Sequence, residues 1–126
     1  MTNRLSFGCG HIVALVAAFL LTACTYEYKL LVRVFDSAGD SATANVRVVV
    51  IKRAIEQREL SALISEPVNS SGELEVSLCC SPNPQVWVFA FIDANKSSTW
   101  DTGERLQSAR NPVNLNDDAT LDIQFD

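Results

Sequence analysis

The sequence predicts an all-β fold, an antiparallel β-sandwich of about seven short strands following an N-terminal signal helix. Three observations carry that prediction. Apolar residues alternate with polar ones along residues 26–36, 44–52, 73–79 and 119–125. Turn-forming Gly, Pro, Asn, Asp and Ser separate these runs at short intervals. No apolar stripe at helical spacing has convincing length beyond the first two dozen residues. Period-2 alternation rich in β-branched and aromatic residues marks half-buried strands, and regular turn signals between them mark sandwiches.

In order, Tyr28, Leu30, Val32 and Val34 share one face of the first run, with Glu27, Lys29 and Arg33 on the other. Ser37-Ala38-Gly39-Asp40 is a turn signal. Val46, Val48 and Val50 share a face of the second run. Residues 53–59 fit either a helical turn or a long hairpin connection, the latter being favoured, and residues 60–66 read as a short strand. Asn69-Ser70-Ser71-Gly72 is a turn, after which Leu74, Val76 and Leu78 point inward. Pro82 and Pro84 end that strand, since neither can donate to a ladder. Residues 85–92, QVWVFAFI, are apolar on both faces, as expected of a central strand covered on both sides. Trp87, Phe89 and Phe91 form one of those faces, which alternation assigns to the core. Residues 93–104 are a polar loop. Val113 and Leu115 form a short apolar pair after Asn111-Pro112, and Leu121, Ile123 and Phe125 line the last strand.

The first residues stand apart from this pattern. Arg4 is the only charged side chain before a ten-residue apolar run, IVALVAAFLL at 12–21. The run is shorter than the roughly 20 residues needed to span a bilayer and suits the apolar part of a secretory signal. Leu21-Thr22-Ala23-Cys24 then resembles the lipobox of bacterial lipoproteins. The resemblance implies a signal peptide at 1–23 and a lipid-anchored domain at 24–126. It implies a diacylglycerol on the Cys24 thiol and an acyl chain, such as palmitate, on the new α-amine. Two or three chains hold a protein firmly at a membrane, where one does not. The leaflet rule of the same family, in which Asp after the Cys retains the protein at the inner membrane, favours the outer membrane because residue 25 is Thr.

Composition excludes several functions. The 15 acids outnumber the 10 Lys and Arg, and the expected mature chain loses only Arg4. That balance disfavours nucleic acid, which rewards clustered positive charge. The single histidine, His11, lies in the signal segment. A mature domain without histidine lacks Ser-His and Cys-His nucleophile pairs and the commonest zinc sets, so no enzymatic activity is expected. Cys9 leaves with the signal, and Cys79 and Cys80 remain as thiols in an oxidising compartment. A strained disulfide between Cys79 and Cys80, two free thiols, or a link to another chain are the alternatives.

The 93–104 loop carries the strongest chemical pattern. Counting Asp93 as position 1, Asn95, Ser97, Thr99, Asp101 and Glu104 fall at 3, 5, 7, 9 and 12. Those are the ligand offsets of a 12-residue calcium loop, with Thr99 giving its carbonyl and Glu104 both carboxylate oxygens. Position 6 is Ser98, where a positive φ is wanted and Gly is usual. Ser97 replaces a stronger oxygen ligand, so calcium affinity of roughly 10⁻⁴–10⁻³ M is expected. The same residues also suit a polar loop whose side chains bond their own backbone without an ion.

Two stretches resemble known families. Val34-Phe35-Asp36-Ser37-Ala38-Gly39 with Ala44-Asn45-Val46-Arg47-Val48 resembles the opening hairpin of transthyretin-like and carboxypeptidase-regulatory-like domains. Ala90 to Asn95 through Trp100 to Glu104 is similar to the calcium loop in the B-repeats of bacterial surface adhesins. These resemblances imply an immunoglobulin- or transthyretin-like sandwich with a structural or adhesive role at the cell envelope, its partner an envelope protein or glycan. A ligand- or protein-binding accessory subunit of an envelope complex, without calcium, is the other expectation.

Overall fold

A computed structural model describes residues 26–79 and 81–126. The signal peptide expected at 1–23, Cys24 and Cys80 lie outside the described residues. Residues 28–78 and 83–126 form one compact unit. Its strands are β1 (Glu27–Phe35), β2 (Val46–Ile51), β3 (Glu66–Pro67), β4 (Glu73–Cys79), β5 (Gln85–Ile92), β6 (Leu106–Ser108), β7 (Val113–Asn114) and β8 (Ala119–Gln124). They form two packed sheets, one ordered β4-β1-β8 and the other β3-β2-β5-β6, with β7 pairing β5.

The strands form where alternation demands it. In β1, Leu30, Val32 and Val34 are buried while Lys29 is exposed. They meet Val46 and Val48 of β2 and Val86, Val88 and Ala90 of β5 in the core between the sheets, with Leu78, Leu115, Ile123 and Phe125. Side chains at i and i+2 share a face in strands, so one register sets the whole buried set. The expected turns are built on side-chain caps. Oδ1 of Asp36 accepts the N–H groups of Ala38 and Asp40 at 2.9 and 3.0 Å. Oδ1 of Asn69 accepts those of Ser71 and Glu73 at 2.8 and 3.0 Å. Gly72 is required at its turn: its φ is +75°, and a Cβ would sit 3.1 Å from the Val34 carbonyl oxygen.

β5 is buried on both faces. Its second face, Phe89 and Phe91, packs with Val49, Leu60 and Trp100. Part of that cover is a 3-10 helix, Gln57–Ala62, where a strand over 60–66 was expected; only Glu66–Pro67 pairs as strand. The reason is tertiary. Leu60 is fully buried against the aromatic face, and the Glu59 carboxylate accepts the Glu56 N–H at 2.7 Å, closing the turn. Burial of one leucine outweighs weak strand propensity.

The β2–β3, β2–β5, β5–β6 and β5–β7 pairs are antiparallel, as expected. β8 instead lies parallel to β1, from Leu30 opposite Ala119 to Phe35 opposite Gln124. No hairpin joins these two strands, so the chain between them supplies the long crossover that parallel pairing requires. Arg33 and Asp122 are register partners there and form a bidentate ion pair at 2.7 and 2.9 Å. β6 was not expected; it has three residues and pairs Phe89 to Phe91.

Candidate metal centre

The loop joins two antiparallel neighbours, β5 and β6, and its base is closed before any side chain acts. Ile92 donates its N–H to the Arg105 carbonyl at 3.0 Å, and Asp93 donates to the Asn45 carbonyl at 2.8 Å. Asp93 therefore sits at the rigid end of the central strand and is only 3% exposed. Its two oxygens organise the turn. Oδ1 accepts the Ser97 N–H at 3.0 Å, and Oδ2 accepts the Ser98 N–H at 2.9 Å. Wrapping the chain this tightly puts Lys96 and Ser98 in the left-handed region, at φ +59° and +71°. The positive φ expected at position 6 is thus adopted by a serine. A non-glycine residue there costs about 1 kcal/mol or more, and persists only where the surroundings fix it.

Glu104 closes the far side. Its Oε1 accepts the Asp101 N–H at 2.9 Å, and its Oε2 accepts the Asn95 N–H at 3.4 Å. One carboxylate oxygen each from Asp93, Asp101 and Glu104 lies within 4.8 Å of the others. Two oxygens on one calcium ion are separated by at most twice the roughly 2.3–2.6 Å bond, so that spacing suits a shared cation. Ser97 Oγ lies among them, 2.6 Å from Asp101 Oδ2, 3.4 Å from Asp93 Oδ1 and 2.8 Å from the Thr99 carbonyl oxygen. A hydroxyl carries one proton and can serve only one of these acceptors at a time. The Ser97 hydroxyl thus sits at the centre of an oxygen-rich cluster whose carboxylates are otherwise held by backbone N–H groups and the Asn95 amide.

The residues present fit calcium in type: three carboxylates, an amide, a hydroxyl and a carbonyl. Asn95 departs from the ligand arrangement. Its Nδ2 donates to Asp101 Oδ2 at 2.9 Å while its Oδ1 accepts the Ser97 N–H at 3.2 Å. A cation needs that amide turned to present oxygen. The hydrogen bonds from Ser97 and Asn95 hold the Asp101 carboxyl below the usual carboxylate range, so it is charged at neutral pH. All six sequence-predicted ligands belong to one closed loop, and the three acids converge.

Three supporting residues escaped the sequence reading. Trp100 is buried in the aromatic cluster, and its indole N–H donates to the Glu104 carbonyl at 3.1 Å. A tryptophan inside a polar loop was the available signal for this anchor. Ser65, buried at 3% exposure, donates both its N–H and its hydroxyl to the Ser98 carbonyl at 3.1 and 2.7 Å. Arg47 in turn grips Ser65 through Nε to Oγ at 2.6 Å and Nη2 to the carbonyl at 2.8 Å. Nothing in the sequence marks this pair, because the contact spans 18 residues and needs the β2–β3 pairing.

Cys79 is disulfide-bonded; Cys80, the adjacent partner considered from the sequence, lies outside the described residues, as does Cys24. Among the described residues no helix is long and apolar enough to cross a membrane. Comparison with family models finds none that matches the chain, and comparisons with curated proteins and with solved structures find no match.

Proposed function

We propose that this chain is a lipid-anchored cell-envelope lipoprotein whose β-sandwich has a structural or adhesive role without catalysis, and that calcium fixes its 93–104 loop. The observation that carries the metal reading is the convergence of the Asp93, Asp101 and Glu104 carboxylates within 4.8 Å at the offsets of a calcium loop. Asp93, Asn95, Ser97, Asp101 and Glu104 would hold the ion through side-chain oxygens and Thr99 through its carbonyl. The ion would supply the positive charge that the Ser97 and Asn95 donors now approximate. The anchor reading rests on the Leu21-Thr22-Ala23-Cys24 tetrapeptide behind its apolar run, and Thr25 favours the outer membrane.

Calorimetric titration of calcium into the full-length protein in detergent micelles tests the metal reading. Saturable heat with a dissociation constant of roughly 10⁻⁴–10⁻³ M is expected, and it should vanish in Asp93→Ala and Glu104→Ala. An absence of heat in a folded, chelator-treated sample would refute it. Labelling with radioactive palmitate, abolished by Cys24→Ser, tests the anchor. A second reading, an accessory binding subunit that needs no calcium, is favoured by one observation. Both Glu104 oxygens already accept backbone N–H groups, so the loop has its own closure.

A further inference from the structure

We propose that a cavity of about 340 Å³ beside the loop is a binding site for a monosaccharide-sized carboxylate, a uronic acid. The proposal goes beyond the calcium reading and does not depend on it. Arg47, Lys96, Thr43, Asn45 and Ser98 line the cavity, together with apolar residues of β2 and of β3 and the residue after it. The protein is acidic overall, at a formal charge of −5, yet neither cation pairs with a carboxylate among the described residues.

Arg47 is a built receptor. Its Nε and Nη2 are locked onto buried Ser65 at 2.6 and 2.8 Å, so the guanidinium plane is fixed before a ligand arrives. Nη1 donates to no described residue. A guanidinium held at one edge presents its remaining N–H groups in the geometry that carboxylates match, and pre-ordering lowers the entropy lost on binding. Lys96 is exposed and held in the left-handed conformation at the cavity's rim, where it adds a second charge.

The Asp93 carboxylate also borders the cavity, but both its oxygens are committed to the N–H groups of Ser97 and Ser98. Two cations against one such anion leave a net positive lining. The volume lies at the small end of ligand pockets and suits one sugar ring. The neutral hydroxyl and amide groups suit its hydroxyls, and the cations its carboxylate.

The test is amide and arginine side-chain NMR of the full-length protein in detergent micelles, titrated with galacturonate, galactose, acetate and a capped dipeptide with a free C-terminus. Galacturonate should shift the Arg47 Nε–H resonance and the amides of residues 43–47 and 96–98 saturably, at least about tenfold more tightly than the other three. Lys96→Gln, which removes an exposed side chain without a packing role, should weaken it severalfold, and Arg47→Gln should abolish it. Equal response to galactose, equal or tighter binding of acetate or the dipeptide, or indifference to Lys96→Gln in a folded sample would each overturn the proposal. Running each titration in chelator and in millimolar calcium separates the two sites. Uronate binding that persists in chelator stands even if calcium fails to bind.

Discussion

Ser98 donates its N–H to the buried Oδ2 of Asp93 at 2.9 Å while its own backbone sits at φ +71°. A strained serine is thus held in place by the carboxylate that begins the loop. Ser98→Gly should relieve the steric strain, partly offset by a more flexible unfolded chain, and raise the melting temperature slightly or leave it unchanged. Ser98→Val should destabilise by more than about 1 kcal/mol, since a β-branched side chain tolerates this region poorly. Thermal melts in chelator would check both, and a wild-type melting temperature for the valine variant would refute the strain argument.

Removing Asp93 should be costly even without any ion. Asp93→Ala leaves the Ser98 N–H without its acceptor and the Ser97 N–H with Asn95 Oδ1 alone, a loss of about 1–3 kcal/mol. Urea unfolding in chelator measures it. Asp93→Asn keeps one acceptor and should lose about half as much. If Asp93→Ala matches wild type, the carboxylate is not what shapes the turn.

The aromatic face of β5 depends on a single leucine from the 3-10 helix. Leu60→Ala should destabilise by about 2–5 kcal/mol through lost contact and the cavity left behind. Ile64→Ala, at a position 83% exposed, should change stability by less than about 0.5 kcal/mol. Comparable losses from the two would contradict the assignment of Leu60 to the core.

Acid should unfold the domain through identifiable carboxylates. Asp122 is held below its ordinary range chiefly by the hydrogen bond from Arg33, Asp101 by Ser97 and Asn95, and Glu59 by the Glu56 backbone and then Arg53. Each has a depressed folded pKa. The stability it contributes is present above the unfolded carboxylate pKa of roughly 4 and is lost as pH falls through the lower folded value. The melting temperature should therefore fall steadily below about pH 4–5. Asp101→Asn and Asp122→Asn should each flatten that decline, and added salt should weaken the exposed Arg33–Asp122 and Arg53–Glu59 contributions. An acid profile unchanged in both variants would show that other groups control it.

Much of the architecture was legible because period 2 is a local property. β1, β4 and β5 match the alternating runs within a residue or so, and the two-faced apolar run 85–92 is the strand buried on both faces. The loop's spacing was legible for the same reason: all six candidate ligands lie within twelve consecutive residues, so a closed turn brings them together. The positive φ at Ser98 followed from its offset alone.

Other features had no local signal. The 3-10 helix exists because Leu60 finds the face of Phe89 and Phe91, which the intervening sequence does not announce. β6 is three residues long and is strand only by pairing β5. The parallel union of β8 with β1 joins residues 89 apart, as Arg33 and Asp122 show. Arg47, Ser65 and Ser98 meet only after β2 and β3 pair.

The sequence by itself therefore determined the strand class, the turn sites and the oxygen-rich loop, since each depends on neighbours along the chain. Tertiary structure decided which face each element covers, the direction of the closing strand and the cavity fixed by Arg47. Those depend on apolar area and hydrogen-bond partners brought together from distant parts of the chain, which the fold alone supplies.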